Sequence, residues 1–466
     1  MLSPLIRRPR KNESNDANSK QRGVTLALVA VSLVALIAMA ALSIDVGTLY
    51  QAKAEAQRAA DTGALTAARV ISISGITGDP NNTSGLWELA CGAGGTATVA
   101  AKAVAQSQSN FVGGVAASKV TVGYGAGGAA NDCASLAGTS FSVNPTVTVY
   151  VQQAKLPTFF ARVFSLITNG TSSNSGVSAT ATAEAFNPSG SEAYGGTLIP
   201  VQPRCVKPWI VPNSDPGNTP NQFVTLTDGS IVDQGIFPGK GVIGETFNLA
   251  ADCKAAPAAC APLPNPAPGV NPAGTLQYLP GLAPAASSAV PSCVDANPYQ
   301  QAIAGCDQTT QYQCGVPSAS AANPNLVDVN ENPSGAAGDT STAAQCLIYQ
   351  SPGAGQDSLI QTAFPYQIQA GAGNPLKASG TAVTSSTSIV SLPIYDSSVP
   401  LTFTGTQAKV TIVGFLQVFI NYVGPNGNPN VTVLNVAGCG NGATNTVSPQ
   451  PQYGTSPVPI RLITPP

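Results

Sequence analysis

The chain has 466 residues and a formal net charge of −2, and only 9% of its residues are charged. Its length allows two or three ordinary domains, and the low charge with abundant Gly and Pro favours an exported, loop-rich β protein over a cytosolic one. The sequence contains no histidine, which excludes Ser-His-Asp and Cys-His catalytic arrangements and makes a zinc site a poor interpretation.

The N-terminal region is a basic segment followed by an apolar run. Residues 1–22 are polar and predict a cytoplasmic tail. Residues 23–44 predict a transmembrane helix, because Val24–Ile44 is uncharged and rises about 31 Å, enough to cross a bilayer core of about 30 Å. The tail is rich in Lys and Arg whereas acidic residues outnumber basic ones after Asp45. The positive-inside rule therefore predicts a single-pass membrane protein with its N-terminus in the cytoplasm and the bulk of the chain outside.

The helical pattern continues beyond the apolar run into an alanine-rich, water-soluble stretch. Small side chains recur there at three- and four-residue spacing and form one narrow helix face, which we call the seam: Leu49, Ala52, Ala56, Ala59 and Gly63. Such a face permits close approach of another backbone. It packs either on a β-sheet of the same chain or on the helix of a second subunit, which would make the protein a homo-oligomer.

The same stretch carries a pattern of residues at fixed offsets from the apolar run. The pattern is Arg-Gly ending at Gly23, then Asp45, Gly47 and Tyr50, then Gln57, Ala59, Ala60 and Asp61, and then Ala64–Ala68. This order resembles the N-terminal region of the TadE/TadG-like proteins of bacterial Flp, or tight-adherence, pilus assembly systems. The resemblance implies a non-enzymatic assembly factor or pilin-like subunit that contacts other pilus or envelope proteins. It also implies an anchor in the bacterial inner membrane, with the bulk of the chain periplasmic or extracellular. It implies no cofactor.

Two cleavage events are alternatives to a permanent anchor. Ala38 and Ala40 form an Ala-x-Ala pattern that a signal peptidase can cleave after a shorter apolar core. Gly23 precedes the apolar run as in a prepilin, but Leu28 stands where pilins place a glutamate. Because the apolar run continues past Ala40 with no helix breaker before it, we favour the uncleaved anchor.

Residues 45–187 predict an α+β unit in which the long helix packs on a small sheet. A helix is expected over Thr96–Phe111, and strands over Lys119–Tyr124, Phe141–Gln153 and Gly176–Phe186. Between the last two, Leu156–Asn169 has aromatic and aliphatic residues at helical spacing. TadG-like proteins show a similar order of elements after their N-terminal helix.

Residues 188–466 predict a loop-rich β region. Turn-forming residues dominate from 215 to 390, and strands are expected over Ala382–Leu392, Ala408–Tyr422 and Asn430–Val436. Both faces of Ala408–Tyr422 are apolar, which predicts a central strand, and Gly-Pro-Asn-Gly-Asn-Pro joins it to the next as a hairpin. Ser456–Ile463 is expected to add an edge strand. The fold class is therefore α+β, with a long membrane-spanning helix, a small α+β unit and a disulfide-containing β region.

All ten cysteines follow the apolar run, and an even number outside the membrane predicts disulfides. Proximity in sequence suggests Cys253–Cys260 and Cys306–Cys314 as local pairs.

The weak candidate for a metal site is a calcium-like loop formed by Asp328, Asn330, Asn332 and Asp339. Pro333 stands where the sharp-turn glycine belongs and the terminal glutamate is missing, so an ordinary polar turn is the favoured interpretation. No phosphate-binding motif is present, and the scattered acidic residues show no local grouping that favours a carboxylate pair for glycoside hydrolysis. The basic N-terminal cluster is an orientation signal, not a nucleic-acid site. The alternative to a pilus function is an anchored cell-surface β-domain that binds or hydrolyses polysaccharide.

Overall fold

The computed structural model describes residues 15–109, 116–156, 176–185, 191–192, 198–199, 206–218, 220–227, 229–239, 241–251, 274–282, 292–294, 297–305, 312, 326–328, 338–362, 364–405, 407–439 and 460–463. The helices are α1 (Asn15–Ile73), α2 (Trp87–Cys91), α3 (Thr96–Gln108), α4 (Ser140–Val143), α5 (Pro298–Ala304) and α6 (Asp339–Leu347).

The described strands range from two to twelve residues. They are β1 (Lys119–Tyr124), β2 (Thr146–Gln153), β3 (Val177–Ala185), β4 (Ser191–Glu192), β5 (Leu198–Ile199), β6 (Trp209–Pro212), β7 (Thr246–Ala251), β8 (Thr275–Pro280), β9 (Leu326–Asp328), β10 (Ser358–Ile360), β11 (Gln367–Gln369), β12 (Ala382–Val383), β13 (Ile389–Tyr395), β14 (Phe403–Thr404), β15 (Gln407–Lys409), β16 (Ile412–Val423), β17 (Pro429–Gly438) and β18 (Ile460–Ile463).

Helix α1 contains 59 residues in one unbroken element. At 1.5 Å per residue it is about 88 Å long, much longer than a bilayer core is thick. No proline interrupts it, and its outer half is rich in alanine, the strongest helix former. The helix ends before Gly75, which adopts a left-handed conformation with φ of 74° that favours glycine. The single long helix predicted from the sequence is confirmed.

The first unit is an antiparallel sheet with helices packed against it. Its strand order is β1-β2-β3-β18, and α1 and α3 pack on each other and on the sheet. Small side chains dominate this core, namely Ala56, Ala59, Ala60, Ala64, Ala67, Ala68, Ala97, Ala101, Ala105, Ala179, Ala181, Ala183 and Ala185. The disulfide Cys91–Cys133 joins the end of α2 to the loop before α4.

The second unit is a closed barrel with strand order β13-β16-β17-β7-β8-β6. Four of its neighbouring pairs are antiparallel, whereas β7 with β8 and β13 with β6 are parallel. Its core contains large side chains, among them Trp209, Phe223, Phe247, Tyr278, Tyr299, Leu392, Leu416 and Phe419. Smaller sheets β10-β11-β12 and β14-β15-β9, and the pair β4-β5, lie outside this barrel.

Several predicted elements are observed with shifted ends. The strand expected from Phe141 begins at Thr146, because Thr139 accepts a hydrogen bond from the Phe141 backbone N–H and starts the short helix α4. Phe141 then packs on the ring of Trp87, with centroids 5.8 Å apart. The expected central strand is β16, which lies between β13 and β17, and the hairpin to β17 is present. The helix expected over Leu156–Asn169 lies almost wholly outside the described residues.

The C-terminal strand belongs to the first unit. We expected an edge strand near residue 460, and β18 is one, but it pairs antiparallel with β3 rather than with the neighbouring strands of the second region. The Arg461 guanidinium contacts the fully buried carboxylate of Glu184 at 3.0 Å. The chain therefore returns from the barrel to complete the sheet of residues 45–187.

The cysteines of the described residues are all disulfide-bonded. Cys91 pairs with Cys133, and Cys293 pairs with Cys346. Cys439 is bonded to a partner outside the described residues. The suggested pairs Cys253–Cys260 and Cys306–Cys314 also lie outside the described residues.

Candidate functional site

Within the part of the chain that the structure describes, α1 is the one helix long and apolar enough to cross a membrane. Its large side chains from Leu26 to Ile44 are exposed, with 75% of Leu26 and 55% of Ile44 accessible. Soluble proteins rarely leave so large a contiguous apolar surface uncovered. This half of α1 therefore requires an apolar environment, as a membrane anchor does.

The seam lies inside the first unit. Ala52, Ala56 and Ala59 are completely buried, and Leu49 is half-buried. A Cβ added at Gly63 would lie 3.2 Å from the Ala101 carbonyl oxygen and the Ala105 Cβ and 3.3 Å from Val149. The small side chains thus let α1 approach α3 and β2 closely. Packing on the chain's own sheet and helix, the first of the two alternatives, accounts for the seam in this structure.

Polar side chains beside the seam tie α1 to β3. The Lys53 ammonium donates to the Ser178 carbonyl oxygen. The Gln57 amide donates to Asp61 at 2.8 Å and to the Thr180 carbonyl oxygen at 3.4 Å. In the structure the Asp61 carboxylate thus accepts from a Gln57 amide that lies beside the backbone of the sheet.

Glu55 has a different partner from the one its spacing suggests. The sequence allows it to pair with Arg58, but Glu55 is buried and accepts a hydrogen bond from the Gln153 amide at 3.2 Å. The same amide donates to the Ser109 carbonyl oxygen at 2.6 Å. Glu55 therefore joins α1 to the end of β2 and the end of α3, while Arg58 is exposed.

The remaining motif residues flank the apolar half of α1, with Asp45, Gly47 and Tyr50 at its outer end and Gly23 at its start. Gly47 has no neighbouring atom within 4 Å of an added Cβ, and Tyr50 is 74% exposed. An exposed tyrosine at this level is typical of the aromatic belt at a membrane interface. Asp45 is only 2% exposed and has an interaction partner. Gly23 lies within the helix, at the start of the apolar run.

The far end of α1 is joined to the barrel region. The Arg69 guanidinium donates to the Thr384 carbonyl oxygen at 2.8 Å and to the Ser385 hydroxyl at 2.6 Å, beside β12. Ile73 is part of the large-residue core of the barrel. One helix therefore contributes to the membrane anchor, the first core and the second core.

The turn after α1 makes a second set of contacts with the barrel region, which we call the junction. It joins residues 75–81 to Gln234, Ile243 and Asn435. Added Cβ atoms at Gly75 and Gly78 would lie 2.8 Å and 2.7 Å from the Ile243 side chain, so only glycine fits there without displacing it. The Asn81 amide donates to Gln234 at 3.0 Å, and Thr77 contacts Asn435 of β17. The sequence analysis did not predict the junction. The sequence feature that could have indicated it is the pair of glycines that follows the helix, Gly75 and Gly78.

The calcium-like loop is not assembled as a metal site in the described residues. Asp328 lies in β9 and accepts from the Gln407 amide at 2.9 Å. Asp339 begins α6 and accepts from Asn297 and Gln300, each at 2.8 Å. Asn330 and Asn332 lie outside the described residues. No three His, Cys, Asp or Glu side chains within the described ranges are arranged to hold a metal ion.

Comparison with known proteins addresses the N-terminal part of the chain. A protein-family model described as Flp pilus-assembly TadE/G-like matches residues 23–70. No curated protein and no solved structure matches the chain significantly. The matched segment lies wholly within α1 and contains the motif residues. This match supports membrane anchoring and involvement in Flp pilus assembly. The resemblance seen in the sequence is thus confirmed, and residues 23–70 of this chain are similar to the TadE/G-like family of Flp pilus-assembly proteins.

Proposed function

We propose that this chain is a non-enzymatic, membrane-anchored component of a Flp-type pilus assembly system, acting as an assembly factor or a pilin-like subunit. The observation that carries the proposal is the coincidence of the matched segment with α1. The apolar half of that helix is exposed, and its polar half is the centre of a folded unit.

The charge distribution supports one orientation in the inner membrane. Six basic side chains precede the apolar run: Arg7, Arg8, Arg10, Lys11, Lys20 and Arg22. The region beyond Asp45 has a net negative charge and contains every cysteine. Basic flanks stay in the cytoplasm and disulfides form outside it. The α+β unit and the barrel would therefore face the periplasm or the exterior.

The membrane anchor and the first unit share one continuous helix, α1. Gly47 and Gly63 do not break the helix, and the polar half is fixed to the sheet by Lys53 and Gln57. A displacement or tilt of the membrane segment would therefore be passed to the first unit, and through the junction to the barrel. Such a rod suits a subunit that presents a folded surface at a defined height above a membrane.

Protease accessibility tests the orientation. Protease added to spheroplasts should degrade nearly the whole chain and leave a small N-terminal fragment that ends near residue 50. Recovery of the full-length protein in the soluble exported fraction would contradict the anchored topology. N-terminal sequencing of the membrane-bound protein distinguishes an intact anchor from cleavage after Gly23.

Complementation tests the pilus function. In a strain lacking this gene, the wild-type chain should restore surface pili, counted by electron microscopy. A matched variant carries an unrelated 21-residue apolar helix in place of Val24–Ile44 and keeps residues 45–466. Normal pili in the deletion strain itself would contradict the proposal. Pili restored by the variant would show that the span serves only as an anchor; loss of pili at normal protein level would assign it a specific contact.

A further inference from the structure

Two acidic side chains are buried next to each other at the end of the barrel where β6 ends and β7 begins. Asp215 follows β6 and is completely buried, and Glu245 directly precedes β7 and is 2% exposed. Burial first, and then the charge of Asp215, a hydrogen bond with Asp215 and the charge of Asp233, raise the pKa of Glu245 to about 9. Two buried carboxylates in contact are unfavourable unless a proton or a cation lies between them.

Hydrogen bonding leaves part of this pair unsatisfied. The Asp215 Oδ1 accepts from the backbone N–H groups of Gly217 at 2.9 Å and Asn218 at 3.2 Å. The Glu245 Oε1 accepts from the Asn218 amide at 3.4 Å, and no N–H or O–H group of the described residues donates to the buried Oε2. The Glu245 carboxyl itself lies within hydrogen-bond reach of Asp215. None of the three acids forms a salt bridge among the described residues.

The backbone at Gly217 passes close to the Glu245 carboxylate. A Cβ added at Gly217 would lie 1.8 Å from the Glu245 Oε1, so a side chain there would occupy the space of the carboxylate oxygen. The Asn218 amide nitrogen lies between the acids and donates to the Asp215 Oδ2 at 3.5 Å and to the Glu245 Oε1 at 3.4 Å. An amide's nitrogen and oxygen have almost the same shape, and a half-turn would direct its oxygen to the same point.

The donor set selects the kind of ligand. Carboxylate, amide and backbone oxygens without nitrogen or sulfur are the ligands of hard cations, and Ca²⁺ accepts irregular arrangements of six to eight of them. We propose that Asp215, Glu245 and Asn218 form a Ca²⁺-binding site, completed by backbone carbonyls or water. With two converging carboxylates instead of three, its affinity falls in the weak class of extracellular modules, with Kd of about 0.1–1 mM.

The site belongs to the loop that holds α1 on the barrel. Residues 229–239 and 241–245 supply most of the barrel side of the junction. The Gly235 N–H donates to the Gly78 carbonyl oxygen at 3.4 Å, and Ile243 packs on Gly75 and Gly78. A cation that joins Glu245 to Asp215 fixes the end of this loop to the end of β6. Calcium outside the cell would then stiffen the connection between anchor and barrel; this consequence, but not the binding, rests on the topology of the proposed function.

The test uses the full-length protein in detergent micelles after removal of metal with EDTA. Isothermal titration calorimetry with CaCl₂ should show one site of millimolar or tighter affinity, and the thermal unfolding midpoint should rise with CaCl₂. In Glu245→Gln and Asp215→Asn the affinity should fall by about tenfold or more. Asp132→Asn, an exposed acid of the first unit, is the matched control and should bind like the wild type.

A second readout separates loss of binding from loss of folding. Hydrogen exchange in residues 75–84 and 229–245 should slow on addition of CaCl₂ in the wild type and stay constant in folded Glu245→Gln. If 10 mM Ca²⁺ changes neither the unfolding midpoint nor hydrogen exchange while acidification alone stabilises the protein, Asp215 and Glu245 share a proton. The proposed calcium site is then wrong. Equal binding by the wild type and both variants would likewise contradict it. Neither result depends on whether pili form.

Discussion

The two cores of this chain are built from side chains of very different size. In the first unit α1, α3 and the sheet meet through alanines and Gly63. The barrel is filled by rings and branched aliphatic side chains such as Trp209, Tyr278 and Phe419. A small-residue core brings backbones close together and is sensitive to added atoms, whereas a large-residue core is sensitive to removed atoms. The same kind of substitution should therefore have opposite consequences in the two units.

Each unit has its own optical reporter. The protein has two tryptophans, of which Trp87 lies in the first core, near Phe141, and Trp209 lies in the barrel core, 6.0 Å from the ring of Tyr278. Replacing one or the other by phenylalanine leaves a fluorescence signal from a single unit. Identical unfolding midpoints for the two reporters would show that the junction couples both cores into one transition.

The largest effect is expected from truncation in the barrel. Phe419 is completely buried in β16, opposite Ile389 of β13 and Thr432 of β17. Phe419→Ala leaves a cavity and should lower the free energy of unfolding by about 3–5 kcal/mol, measured by denaturant unfolding with the Trp209 signal. Tyr422→Ala, at a 46% exposed position of the same strand, is the control and should change little. A similar loss for both would contradict the assigned core.

Removing a disulfide should have the next largest effect, and in one unit at a time. Cys91–Cys133 spans 42 residues in the first unit, and Cys293–Cys346 spans 53 beside the barrel. Replacing either pair by alanine should lower the free energy of unfolding by about 2–4 kcal/mol through the freed unfolded chain. The first double variant should shift the Trp87 transition and the second the Trp209 transition.

Thiol titration of the wild type under denaturing, non-reducing conditions should find few free cysteine thiols. Eight or more free thiols would contradict an oxidising location.

Overpacking in the seam should lower the free energy of unfolding by a smaller amount. Ala56→Leu inserts about three heavy atoms between α1 and its sheet, and should lower the free energy of unfolding by about 1–3 kcal/mol, reported by Trp87. Ala54, two residues away, is exposed, so Ala54→Leu should be nearly silent because leucine is a good helix former. Reduced abundance of Ala56→Leu in cells would agree with packing inside the chain. Normal abundance with lost pili would instead indicate a second subunit's helix.

At acidic pH, where folded Glu245 is protonated and glutamine resembles it, the smallest effect is expected from Glu245→Gln. Glu245 has a folded-state pKa of about 9 and an ordinary unfolded pKa near 4.3. Between these two pKa values, the folded chain therefore holds a proton that the unfolded chain has released. The contribution of this protonation to stability is complete below about pH 4. It is lost as pH rises toward 9, no more steeply than about 1.4 kcal/mol per pH unit.

Metal-free unfolding followed with Trp209 from pH 5 to 9 should show this decline in the wild type. The decline should be weaker in Glu245→Gln, whose side chain does not titrate, while the exposed-acid variant Asp132→Asn should follow the wild type. A pH dependence unchanged in Glu245→Gln would show that Glu245 does not hold the proton.

The first unit could be predicted from the sequence because its signals are local. The apolar run, the alanine spacing of α1 and the alternation of β2 each need only a few neighbouring residues to be recognised. The central position of β16 followed in the same way from its two apolar faces. The barrel as a whole was not predicted, because β6, β7 and β8 have only four to six residues and are separated by long turn-rich stretches. Their pairing, part of it parallel, depends on partners far away in the chain.

The sequence by itself determined the anchor, the long helix, the α+β class and the similarity of residues 23–70 to a pilus-assembly family, since all of these depend on composition and spacing along one helix. Only the tertiary structure decided what fills the seam, where the C-terminal strand pairs and which acids meet. Glu184 and Arg461 are 277 positions apart, and Asp215 meets Glu245 only when the barrel closes. Contacts of this kind arise from the burial of side chains distant in the chain, which no local pattern encodes.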